Sequence, residues 1–199
     1  MKFNFMPLWL SNLYLFFLAI VLAVLEVQIE GEQGWAKDLP TWRPKSDSWL
    51  AKIYQKFMSG KDLTGYHLAI FGFVLLIFHL PFFRGVEWSE INEWETLSLF
   101  FIFAVTWDYL WFIFNPHYPL HKFKAEHIWW HKKWLGPLPL DYYFGVLISF
   151  ILYLPVYLEV GNFSWWLATI FSFIGGTLAL TLVDYIYEKT TGRTFPFEK

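Results

Sequence analysis

The sequence predicts an all-α integral membrane protein, one domain over residues 1–199 folded as a bundle of about five transmembrane helices. Three observations predict it. Hydrophobic residues make up 56% of the chain and charged ones 16%. Apolar runs of about 20 residues, the length that crosses a ~30 Å hydrocarbon core, recur along it. Lysine and arginine also fall almost entirely in alternate connections, the asymmetry that orients membrane helices.

The first span covers 8–27. Its apolar stretch exceeds the ~7–15 residues of a signal h-region and no A-x-A-like site follows, so it reads as a retained helix. The second covers 64–83, with His67 at its start. The third covers 96–115, contains Asp108 and ends at Asn115-Pro116. The fourth (142–159) and fifth (164–187) are separated by a short turn. Gly175 and Gly176, with Ala168, Ser172 and Ala179, allow the fifth helix to approach its neighbours closely. Hydrocarbon offers no hydrogen-bond partners, so every span must be helical. Between the third and fourth spans, KAEHIWWHKKWL (124–135) predicts a short amphipathic helix lying at the interface, with His127 and His131 on one face beside Trp130 and Trp134.

Thirteen of the 15 basic residues lie in the first connection, the third connection and the C-terminal tail; only Lys2 and Arg84 lie on the other side. The N-terminus is therefore expected outside and the C-terminus in the cytoplasm, in a plasma (inner) membrane. Trp35, Trp42, Trp49, Trp129, Trp130, Trp134, Trp165 and Trp166 stand where interface anchors belong. The net charge of −2 and the lack of a basic stripe exclude a nucleic-acid partner. Cysteine is absent, which excludes disulfides, iron–sulfur clusters and thiolate nucleophiles.

This topology gathers the ionisable residues at the cytoplasmic pole. Glu26 and Glu30 close the first helix and Asp184 and Glu188 the fifth, each pair four residues apart. Like charges at that spacing repel, and both pairs face the negative end of a helix macrodipole. Asp108 lies within a span, where an ionisable group signals function. His67 and His79, taken singly, read as hydrogen-bonded interface anchors. Four histidines, His117, His121, His127 and His131, follow the third span. A multivalent cation would offset the clustered negative charge. Mixed imidazole and carboxylate donors suit iron, and also manganese or zinc.

Carboxylates from several helices of a bundle with added histidines are the ingredients of a dinuclear centre. The expected cofactor is thus two metal ions, iron first, bridged by some of Glu26, Glu30, Asp108, Asp184 and Glu188 and completed by His121, His127 and His131. His117 is a further candidate in the Pro116–Pro119 turn, and Asp108 and Glu126 are the candidate catalytic residues. Glu126 precedes His127 instead of following it, so the zincin protease motif is not met.

HYPLH (117–121) and HIWWH (127–131) are H-x-x-x-H boxes beside membrane spans. This arrangement resembles the architecture of the membrane fatty-acid desaturases and hydroxylases, although the chain has no H-x-x-H-H box and fewer histidines. The resemblance implies a non-haem di-iron oxidase, hydroxylase or desaturase with an electron-transfer partner, and a site at the mouth of an apolar bundle would be reached most easily by a lipid, quinone, isoprenoid or long-chain alcohol. Three alternatives stand beside it. A zinc-dependent lipid hydrolase would use Glu126 or Asp184 as base, and a proton or metal transporter would use the same polar groups as a path. The third is a non-catalytic haem- or pigment-binding subunit, whose 13 Trp and 23 Phe would be covered by partners or by homo-oligomerisation.

Overall fold

The computed structural model describes residues 7–58 and 60–192. Lys2, Arg193 and Lys199, three of the charges used to orient the chain, lie outside the described residues. Five helices are long and apolar enough to cross a membrane. They are α1 (Leu8–Glu30), α3 (Gly65–Phe83), α4 (Glu90–Phe114), α5 (Leu140–Val160) and α6 (Ser164–Thr191). Each matches an expected span. α4 starts six residues earlier than hydropathy alone indicates, because Ser89 caps it by accepting the Asn92 N–H. Glu90 and Glu93 in its first turn favour the positive end of the helix dipole. α5 and α6 stop at Gly161 and Gly192, both in the left-handed conformation that closes helices.

α4 is the hub. It is largely buried, with α1, α5 and α6 packed around it, while those helices expose most of their apolar surface. Leu13, Phe17, Val21 and Leu25 of α1 all point outward, as lipid contact requires. Gly145 lets α5 approach α4: a Cβ there would meet Val105 Cγ2 at 2.4 Å. Gly176 does the same for α6 against the Phe16 ring of α1. Ser98 bonds Ser149 Oγ at 2.9 Å and Trp166 Nε1 donates to the same oxygen at 3.0 Å, which clasps α4, α5 and α6.

The ends of α1 and α4 and the starts of α3 and α5 share one pole. Asn115 Nδ2 donates to Gly31 O at 2.8 Å, tying α4 to α1. The interfacial helix at this pole is α2 (Trp49–Phe57), in the first connection, capped by Ser48. Trp49 and Ile53 are exposed on one of its faces, beside Lys52 and Lys56.

The helix expected over 124–135 does not form. That segment follows a single 3-10 turn (Leu120–Lys122) and runs through turns into a two-residue strand, β1 (Trp134–Leu135), paired with β2 (Leu138–Pro139). The reason is burial with an extended period. Ile128 is buried, Trp129 exposed and Trp130 buried. Trp130 stacks on Phe112 at 5.7 Å and meets Trp111 edge-on at 5.6 Å. Docking these rings against α4 outweighs the local helical pattern.

Candidate functional site

Glu26 and Glu30, one turn apart at the end of α1, face His67 in the first turn of α3. One donor atom from each lies within 4.8 Å of the other two. Local sequence fixes each group. Thr64 caps α3 through the His67 N–H, and its hydroxyl also bonds His67 Nδ1 at 2.7 Å. That leaves Nε2 aimed at Glu30 Oε1, 3.6 Å away. Orientation of one ring nitrogen by a neighbour is how ligand histidines are held.

The covering loop carries strain. Gly34, Trp35 and Ala36 are successive residues at φ 53, 51 and 49°. Glycine tolerates this conformation and the other two do not readily. Gly34 has a second reason to lack a side chain, since a Cβ would lie 2.5 Å from the Trp130 ring. The strained turn stacks Trp35 on the His67 ring at 4.1 Å and points the Ala36 N–H at Glu30 Oε1. Strain of this kind collects at functional sites. Arg43 holds the loop by donating to the carbonyls of Ala36, Lys37, Leu39 and Thr41.

Beside the carboxylate–imidazole group runs a second polar chain. Tyr142 donates to Asp108 Oδ2 at 2.6 Å, and His131 Nε2 reaches the same oxygen at 3.2 Å. His131 Nδ1 meets Asp141 Oδ2 at 3.0 Å, and that oxygen also receives Lys61 Nζ at 3.0 Å. Both ring nitrogens of His131 face carboxyl oxygens, so the ring bridges Asp108 and Asp141. Lys61 is buried and lies 4.5 Å over the Trp35 ring.

The two chains meet at a cavity of about 30 Å³, room for an ion or a water. Glu26, Glu30, His67, Asp108, Trp107 and Trp111 are among the residues that line it. Among the described residues, Trp107 Nε1 and Trp111 Nε1 are buried without a partner at hydrogen-bond distance, and the Trp107 side chain lies beside Glu26. Buried donors of this kind call for an oxygen within the cavity.

The histidine segment is dispersed. Of its four histidines only His131 turns inward. His117 pairs with Glu32 at 3.3 Å, His121 with Glu188 at 3.5 Å and His127 with Glu126 at 3.4 Å, all with solvent access. His117, His127 and Glu32 line a shallow surface pocket of about 280 Å³ with Tyr118, whose phenol is pushed up by burial and by Glu32. Glu126 is exposed and lines no part of the Glu26–His67 cavity. Asp184 is buried on α6 within electrostatic reach of Tyr109, and neither it nor Glu188 joins the Glu26–Glu30–His67 group. His79 bonds Glu93 at 2.9 Å, outside this group.

Sequence reasoning took His67 for an interface anchor and passed over Lys61, Thr64, Asp141 and Tyr142. One signal was present: Thr64 with His67 three residues on marks a helix start, which places that imidazole at the polar pole. Comparison of the chain with known protein families, curated proteins and solved structures finds no match. The fold and these side chains give a helical bundle, with five helices long and apolar enough to span a membrane and a buried carboxylate–imidazole group at one pole.

Proposed function

We propose that the protein is a metal-dependent membrane enzyme that acts on a lipophilic substrate, with one divalent ion held by Glu26, Glu30 and His67. The observation that carries this reading is the grouping of Glu26, Glu30 and His67 donor atoms within 4.8 Å of one another at a cavity that the indoles of Trp107 and Trp111 also line. Three protein ligands leave a coordination position open, as catalytic sites do. The indoles would hold an oxygen at that position.

Charge supports it. Glu26, Glu30 and Asp108 bring three carboxyl groups to the cavity, and a divalent ion would offset their mutual repulsion. A second ion, as in the di-iron expectation, would need Asp108, whose Oδ2 is engaged by His131 and Tyr142. One ion therefore fits better than two.

The donor set without sulfur suits iron, manganese or zinc. Iron would make the protein an oxidase or hydroxylase, and zinc would make it a lipid hydrolase by acidifying a bound water. In either case the Asp108–His131–Asp141 chain can hold or pass a proton at the cavity wall. The excess of lysine and arginine at this pole supports a cytoplasmic placement in this reading.

Elemental analysis of protein purified without chelator tests the proposal. About one ion per chain is expected. Glu26→Gln and His67→Ala should lose it, and His127→Ala should retain it. Metal content unchanged in the first two variants would remove these residues as ligands.

A further inference from the structure

A larger cleft of about 350 Å³ lies between α4, α5 and α6, within the membrane-spanning length of the bundle. Its wall on α6 runs from Ile170 to Thr181, about 16 Å at 1.5 Å per residue. Val105, Val146, Phe173, Ile174 and Leu178 make it apolar. Gly145 brings α5 onto Val105, one of the residues that line the space. Two of the three threonines on its walls, Thr106 and Thr181, return their hydroxyls to Ile102 O and Thr177 O.

The end nearest the polar pole differs. There stand the hydroxyls of Tyr109 and Tyr142. Tyr142 OH is bonded to Asp108 Oδ2, and Asp108 also lines the metal-binding cavity. The Asp108–Tyr142 pair is thus the wall that the two spaces share. Asp108, and Asp184 within reach of Tyr109, make this end negative. An anionic headgroup would be repelled, whereas a hydroxyl could donate to the phenol oxygens of Tyr142 and Tyr109, whose own protons go to Asp108 and Thr181.

We propose that this cleft binds a single-chain amphiphile with an uncharged oxygen headgroup, a long-chain alcohol, and presents its head to the wall of the metal cavity. The inference rests on the enzyme reading above and names its substrate class. A fatty alcohol and an isoprenoid alcohol share this chemistry, and the test separates them.

The purified protein in detergent is labelled with a photoactivatable long-chain alcohol and the cross-links are mapped by mass spectrometry, with hexadecanol, farnesol or palmitate as competitor. Cross-links should concentrate on residues 102–109, 142–146 and 170–181. One of the two alcohols should compete at least about tenfold better than palmitate, the discrimination that a like-charge contact supports. Val146→Trp and Thr177→Trp, which fill the cleft, should abolish labelling while metal content stays unchanged. Tyr142→Phe should keep the labelling and lose the preference for alcohol. Cross-links spread over all the helices, indifferent to competitor and to cleft filling, would mean ordinary boundary lipid and overturn the proposal. Lost labelling with metal absent from the wild type would sink the metal site alone if hexadecanol or farnesol still binds in a competition with a fluorescent alcohol; metal present with no selective labelling would sink the cleft alone.

Discussion

His131 has a carboxylate on each ring nitrogen and almost no exposure of its own. Removing it leaves Asp108 and Asp141 without the ring between them, with Lys61 bonded to the second and acting on the first from a distance. Breaking such a link is costly because the partners keep their charge and lose the neutralising group. His131→Ala should destabilise the protein by about 3 kcal/mol, the low end for a buried pair, because the two carboxylates keep 34% and 30% of their side-chain surface open. Melting of the purified protein in detergent measures it. His121→Ala, at an exposed pair, should change the melting point little. These two histidines look alike in sequence. What distinguishes them is which way the chain turns after Trp130, and that is set by ring packing against Phe112 and Trp111. His67 was hidden for the opposite reason: it stands alone in sequence, and its partners come from a helix end some forty residues earlier.

At the scale of elements, α4 owes its central place to being apolar on every face, with its neighbours approaching where side chains are small. Gly145→Ala should cost about 1–3 kcal/mol, since a methyl there overlaps the stiff β-branched Val105. Adding Val105→Ala should restore most of it. A double-mutant cycle in melting temperature checks the coupling, and additive losses would mean that this contact does not set the α4–α5 distance. The five spans were legible because hydrocarbon imposes length and composition on any segment that crosses it. The connections carry no such constraint. Segment 124–135 has a helical pattern in its side chains yet folds as turns, and α2, although strongly amphipathic at helical spacing, has only nine residues and is too short to register as a span. Of the site, Glu26, Glu30, Asp108 and His131 were legible as polar residues that the spans deliver to one pole. The loop 31–64, which brings Lys61, Thr64 and the strained Trp35 turn over them, was not.

For the whole molecule, the account needs the polar pole on a single side of the membrane with both metal ligands and histidine segment on it. The chain has no cysteine, so single reporters can be placed without background. Lys124→Cys should react with a membrane-impermeant maleimide only after cells are opened, and Glu87→Cys in intact cells. Equal labelling of both before lysis would contradict the orientation drawn from the basic residues. The central claim is that α1 and α3 together grip one cation at this pole. Anomalous diffraction at the absorption edge of the metal found in the purified protein tests it most directly. A single peak among Glu26, Glu30 and His67, with nitrogen and oxygen ligands at about 2.0–2.2 Å, is the predicted result. A peak lying instead among His117, His121 and His127, or no peak within the bundle, would contradict it.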